Sequence, residues 1–157
     1  MNNKIFPKRK NPRLKDFDYS TLQAYYITIC TKDRNDYFKD DVFNRTIIQC
    51  LNQEKQRTNF IIYVFCLMPN HIHLLVSPSG DGTSISRFIG GFKSKTTRLA
   101  WNFGIKGKLW QQRFYDHILR KKEDLRSIGE YILNNPVRKN LVTNWQDYKY
   151  SGYIDYW

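Results

Sequence analysis

Residues 60–78 read FIIYVFCLMPNHIHLLVSP. Phe60 to Met68 is an unbroken apolar run with β-branched members, the pattern of a buried strand. Pro69-Asn70 breaks it, and His71 to Ser77 begins a second strand at once. Two strands joined so tightly predict an antiparallel hairpin.

The flanking segments extend this hairpin into a sheet. Residues 24–31 (AYYITICT) are β-branched and aromatic and predict a strand. Asp40 or Asp41 caps a helix in which Val42, Ile47, Ile48 and Leu51 follow at near-helical spacing, ending near Arg57. Ser84 opens a second helix to about Phe103, with Ile85, Phe88, Ile89, Phe92, Leu99 and Phe103 as its apolar stripe. Gly90-Gly91 weakens that helix by about 1 kcal/mol per glycine relative to alanine. Gly104 to Lys108 is a basic turn, and residues 110–120 (WQQRFYDHILR) predict a strand or extended arm. Lys122 to Asn134 predicts a third helix, with Glu123 and Asp124 at its favourable N-terminal end. Asn135-Pro136 stops it, and the aromatic tail to Trp157 packs back on the domain. The order β-α-β-β-α-β with a further helix is that of a split βαβ unit. The expected fold is therefore α+β, a ferredoxin-like antiparallel sheet with helices packed on one face. Residues 1–18 form a basic N-terminal arm, and 19–157 a single domain.

The 157 residues carry 26 basic and 14 acidic side chains, a net charge of +12. Such an excess favours a polyanionic partner, nucleic acid before an anionic membrane surface. Met1 to Lys15 holds six basic residues and no acid, and Gly82 to Lys122 holds ten with Asp116 as the only acid. This charge gives affinity without sequence information. Cys30, Cys50 and Cys66 are odd in number with no Cys-x-x-Cys pair, against a disulfide scaffold or zinc ribbon. No apolar region follows the basic N-terminus as in a signal peptide, and the longest apolar run is too short to span a bilayer. A cytoplasmic, nucleoid-associated protein with no membrane partner is expected.

His71-Ile72-His73 is the sharpest chemical feature. Side chains at i and i+2 of a strand share a face, so both imidazoles can reach one metal ion. Alternatively they are two histidines on an exposed strand face, and two ligands do not complete a site. Tyr131 and Asn135, four apart, share a helix face. They can supply a phenolate nucleophile and a carbonyl ligand, or be a core tyrosine and a helix-ending asparagine. Lys93, Lys95, Arg98, Lys106 and Lys108 are placed to meet phosphates, and Gln111, Gln112 and Arg113 are candidates for DNA contact. Trp110, Phe114 and Tyr115 can stack on unpaired bases, each contact worth roughly 1–3 kcal/mol, or the aromatics are core and the lysines solvated surface; a mixture of the two is expected.

Three segments together carry a resemblance. YVFCLMPNHIHLLVSP (63–78) resembles the histidine-hydrophobe-histidine motif of the single-tyrosine HUH transposases, and WQQRFYDHILR (110–120) and YILNNPVRKNLV (131–142) resemble that family's two downstream motifs. The similarity is greatest to the REP-associated tyrosine transposases. It implies His71, His73 and Asn135 as ligands of a divalent ion, Mg²⁺ or Mn²⁺, and Tyr131 as the single nucleophile. It implies cleavage and rejoining of single-stranded DNA at hairpin sites through a 5′-phosphotyrosyl link, without ATP, by a monomer or homodimer. Asn140 stands where the family pattern has glycine, and asparagine tolerates positive φ better than most residues. His117 is expected to be structural or DNA-contacting rather than a metal ligand. The alternative is a domesticated, catalytically inactive hairpin-binding protein on the same fold. An RNA-binding module would show paired sheet aromatics and a basic-glycine-aromatic signature, and a zinc hydrolase a His-Glu-x-x-His motif. Neither is present.

Overall fold

The computed structural model describes residues 23–119 and 125–155. The expected basic arm and the start of the third helix lie outside them. The elements run β1 (Tyr25–Cys30), α1 (Asp41–Thr58), β2 (Phe60–Met68), β3 (His71–Pro78), α2 (Ile85–Trp101), β4 (Tyr115–Ile118), α3 (Leu125–Leu133), α4 (Asn135–Arg138) and β5 (Ser151–Tyr153). The strands form one sheet in the order β4-β1-β3-β2-β5, every pairing antiparallel. An α+β antiparallel sheet is thus what the sequence pattern specifies.

Local chemistry sets the element ends. Asp40 Oδ1 accepts from the Phe43 amide at 2.8 Å and opens α1. Asn59, left-handed at φ 54°, closes it. Ser84 Oγ accepts from the Arg87 amide and opens α2. Met68 pairs with His71, so Pro69 and Asn70 are the whole loop of the β2–β3 hairpin.

The faces of β3 separate structure from chemistry. Ile72, Leu74 and Val76 enter the larger core, under Ile47 and Leu51 of α1 and Phe88 and Phe92 of α2. His71, His73 and Leu75 point the other way, where Leu75 packs with Ile128, Ile132 and Leu133 of α3. The helices are therefore not all on one face as expected: α1 and α2 cover one, α3 the other. The reason lies in β2 and β3, which are apolar on both sides. A bulge at Tyr63, between the Ile62–Val76 and Val64–Leu75 pairs, supplies this in β2. It switches the inward parity, so that Phe60 and Ile62 but also Phe65 and Leu67 enter the larger core.

Three further details refine the sequence pattern, and the last departs from it. The 110–120 segment is a strand only at Tyr115–Ile118, joined to Thr31 by an isolated bridge at Trp110. The tail contributes β5, paired with Val64–Cys66. Asn135 begins α4 rather than sharing one helix with Tyr131. Gly91 has a packing reason. A Cβ there would collide with the carboxylate of Glu54, which is buried on α1 and bonded to Arg57 at 3.0 and 3.1 Å.

Candidate active site and nucleic-acid interface

Register builds the site on the α3 side of the sheet. Cys30 pairs with His71, Thr28 with His73 and Tyr26 with Leu75. On the next strand out, Tyr115 lies beside Thr28 and His117 beside Tyr26. Directly paired residues point to the same face, so Tyr26, Thr28, His71, His73, Tyr115 and His117 share one surface.

The two imidazoles meet through their Nε2 atoms, 3.1 Å apart. Each is held from behind at Nδ1. Asn70 Oδ1 lies 2.6 Å from His71 Nδ1. Thr28 Oγ1 at 2.8 Å and Tyr26 Oη at 3.1 Å meet His73 Nδ1. In the tautomer in which both Nδ1–H groups donate to these oxygens, both Nε2 lone pairs turn inward; hydroxyl donation to His73 Nδ1 instead makes the 3.1 Å contact an N–H···N hydrogen bond. Two facing lone pairs repel unless a cation lies between them. Two nitrogens at right angles around one ion, each about 2.1 Å from it, are about 3.0 Å apart, which matches the observed separation. The pair therefore fits a divalent ion, with outer partners of the kind that orient metal-binding histidines.

Both rings are neutral at physiological pH. Burial, then the charges of Arg34 and Lys139, push the His71 pKa down to about 4. Burial, then His71, Arg138 and Arg34, holds His73 well below the usual imidazole range. The same cations suit a phosphate-bearing ligand.

Tyr131 stands beside this cluster. Its ring meets Tyr26 edge-on at 6.3 Å, and Tyr26 in turn lies 5.5 Å from the His73 ring. Arg138 covers the Tyr131 ring, its guanidinium carbon 4.4 Å from the centroid, a cation–π contact. Asn135 is buried. Its Nδ2 donates to the carbonyls of Tyr131 and Ile132 at 3.2 and 3.0 Å. Pro136 cannot donate to Ile132, so the asparagine amide ends α3 in its place. That commits its nitrogen and leaves Oδ1 as the atom that can serve as a ligand. Among the described residues no group of three His, Cys, Asp or Glu side chains is placed to hold a metal. His117 shares the sheet face, half-buried next to Tyr26.

The candidate DNA contacts divide. Lys93, Arg98, Lys108, Trp110 and Gln112 line one cleft between α2 and the 108–112 segment. Within it Lys93 Nζ is bonded to the carbonyls of Gln111 and Gln112, so it clips the segment to the helix. Lys95 bonds Gln53 of α1. Lys106 and Arg113 are exposed and outside the cleft lining. Trp110 and Phe114 are buried, at 3% and 2% exposure, and cannot stack on bases. Trp110 packs on Phe38 and Phe92, and its indole N–H donates to Thr96. Of the expected mixture of core and exposed aromatics, Trp110 and Phe114 are the core members, because extended segments over helices bury aromatics as strands do. Tyr115 is 49% exposed and remains available.

Sequence reasoning missed Tyr26, Thr28, Asn70 and Arg138. The alternation in AYYITICT placed Tyr26 and Thr28 on one face, but only the β1–β3 register puts that face against His73.

A family model described as "Transposase IS200 like" matches residues 19–135. The chain belongs to this IS200-like transposase family. Within it, the chain is 28% identical over 148 residues to a Haemophilus influenzae protein named as a candidate REP-associated tyrosine transposase, covering 87% of this chain and 82% of that one. It is 31% identical over 100 residues to the REP-associated tyrosine transposase of Escherichia coli K12, covering 63% and 58%. A solved REP-associated tyrosine transposase bound to a REP hairpin superposes with a TM-score of 0.74 at 21% identity, covering 88% of this chain and 81% of that one. This likeness shows a shared fold. Among the described residues no helix is long and apolar enough to cross a membrane.

Proposed function

We propose that the protein is a metal-dependent transposase that cleaves and rejoins single-stranded DNA at hairpin sites through a 5′-phosphotyrosyl intermediate. The observation that carries this reading is the facing His71 and His73 Nε2 atoms with both Nδ1 atoms engaged, beside Tyr131. His71, His73 and the Asn135 carbonyl would hold Mg²⁺ or Mn²⁺. Such an ion, when bound, polarises the scissile phosphate and stabilises charge in the transition state.

The protein's own groups do the rest. The Tyr131 oxygen attacks phosphorus, the bond from phosphorus to the 3′ oxygen breaks, and that oxygen leaves as a 3′-hydroxyl carrying the proton. The DNA 5′ end is then esterified to Tyr131. A 3′-hydroxyl attacking the ester reverses the step and joins strands, so no ATP is consumed. Arg138, stacked on the tyrosine, orients the ring, and the cations beside the histidines attract the phosphate. Sequence relatedness to REP-associated enzymes, one of whose solved members is bound to a REP hairpin, supports a hairpin as the substrate. The protein acts as a monomer or homodimer.

The test is a denaturing gel for a covalent protein–DNA adduct, using single-stranded hairpin oligonucleotides from the DNA flanking the gene. A Mn²⁺-dependent adduct is expected with the wild type and none with Tyr131→Phe, which keeps the ring and removes the nucleophilic oxygen. An adduct of equal yield in Tyr131→Phe refutes the assignment.

A further inference from the structure

The cleft beside α2 holds an aromatic side chain outside the resemblance. Trp101, the last residue of α2, is 54% exposed. Its indole Nε1–H donates to the Gly107 carbonyl at 2.9 Å, which fixes the ring against the 104–108 turn. Gly107 makes that turn at φ 75°, a left-handed conformation that suits glycine. The fixed ring forms one side of a cleft of about 450 Å³ whose other walls include Arg98, Lys108, Gln111 and Gln112. Among the described residues no carboxylate lines it. Arg98, Lys108 and Gln112 are exposed.

An anchored, exposed indole in a cleft shared with Arg98 and Lys108 matches one ligand chemistry well. A nucleobase has a flat π face to stack, and its phosphodiester carries the charge that Arg98 and Lys108 would meet. A duplex hides its base faces, so the ligand must be unpaired. The location gives this a purpose. The cleft lies on the α1–α2 side of the sheet, opposite the histidines, yet both reach one end of it. The Gln111 amide donates to the Cys30 carbonyl at 2.9 Å, and Cys30 is the cross-strand partner of His71.

We propose that the Trp101 cleft binds an unpaired nucleotide of single-stranded DNA, separate from the nucleotides at the histidine pair, with its base stacked on Trp101 and its phosphate on Arg98 and Lys108. This rests on the reading of the protein as a DNA-processing enzyme. It adds a second holding point, round the sheet end from the chemistry, for the strand leaving a hairpin stem.

The experiment measures fluorescence anisotropy with the full chain in EDTA, so cleavage does not intervene. The probes are a blunt hairpin, the same hairpin carrying a ten-nucleotide thymidine tail, and the tail alone. Stacking tolerates any base, so thymidine serves without knowledge of the natural target. Trp101→Ala is expected to weaken tailed-hairpin binding about tenfold or more and blunt-hairpin binding by less than about twofold. Trp101→Phe deletes the bond to Gly107 and keeps an aromatic face. It should bind tailed DNA nearly as the wild type does, which separates stacking from a loosened turn. Arg98→Ala and Lys108→Ala should each lower the salt slope of tail binding by about 0.7. Unchanged tail binding in Trp101→Ala, or equal loss on blunt and tailed probes, overturns the proposal while leaving the tyrosine chemistry intact. Failure of the wild type to bind any of the three probes overturns the DNA reading and this proposal together.

Discussion

Thr28→Val tests whether the histidine pair is a prepared metal site. The substitution removes Oγ1, 2.8 Å from His73 Nδ1, and keeps a β-branched side chain of the same shape in β1. His73 Nδ1 then has only Tyr26 Oη, at 3.1 Å. A buried donor left with no acceptor costs about 1–3 kcal/mol, and the surviving tyrosine bond offsets part of that. A loss near 1 kcal/mol corresponds to about a fivefold weaker affinity for Mn²⁺. Tyr26→Phe alone removes the longer bond and should cost about twofold. The double variant leaves Nδ1 with neither hydroxyl and should cost about a hundredfold, near the upper end for outer partners of metal ligands. The double loss exceeds the product of the single losses because each hydroxyl covers for the other. There is a structural route for it. Without an acceptor at Nδ1, His73 shifts its proton to Nε2 and donates across the 3.1 Å gap to His71, occupying the position an ion needs. Isothermal titration with Mn²⁺ gives the affinities, and ¹⁵N shifts of the metal-free imidazoles report the tautomer. Wild-type Mn²⁺ affinity in the double variant, with an unchanged tautomer, would falsify this account of the pair.

Three other outcomes follow from the same geometry. His71→Ala or His73→Ala should abolish adduct formation while hairpin affinity, measured by anisotropy, stays within about threefold, because the basic surface is untouched. Gly90→Ala should raise stability by up to about 1 kcal/mol in urea unfolding, since a Cβ there meets nothing within 4 Å; Gly91→Ala should lower it by about 1–3 kcal/mol by displacing Glu54 from Arg57. In metal-free protein, stability should be full above pH 6.5 and fall as pH drops toward 4, by up to about 3 kcal/mol from His71 alone, because the unfolded chain takes up the proton that burial and Arg34 deny to the folded ring; chemical denaturation that is flat over this range would contradict the burial of the pair.

Much of the fold was legible because its signals are local. A continuous apolar run, a Pro-Asn break and two capped periodic helices each specify an element from a few neighbouring residues. The histidine pair was legible for the same reason, since i and i+2 on a strand share a face whatever the strand pairs with. What the sequence hid depends on register and on which face a helix covers. Thr28 and Tyr26 matter only because β1 slots beside β3 with Thr28 opposite His73. The one-residue bulge at Tyr63 reverses the parity of β2, and nothing in FIIYVFCLM marks it, because every residue there is acceptable on either face. Trp110 and Trp101 show the same limit at the surface. Both lie near basic residues, yet one is sealed by Phe38 and Phe92 and the other is held out by Gly107.

The parity of β3 also bears on whether the chain is an enzyme or only a binder of DNA. A binder needs its cations and an exposed base-stacking surface, and gains nothing from two imidazoles kept neutral in a cationic environment. Burying His73 beside His71, with Arg34 and Arg138 near, costs the protein stability as pH falls. Replacing both rings by apolar residues would pack against Leu75 and Val64 at no such cost. The arrangement gains a return only if something positive binds between the two Nε2 atoms. Variants in which His71 and His73 are both leucine should therefore be more stable than wild type in EDTA at pH 5. Saturating Mn²⁺ at pH 7.5 should stabilise the wild type and leave the leucine variant unmoved. If Mn²⁺ fails to raise the wild-type melting temperature, the pair is not a metal site, and a DNA-binding role without cleavage becomes the better account of the fold.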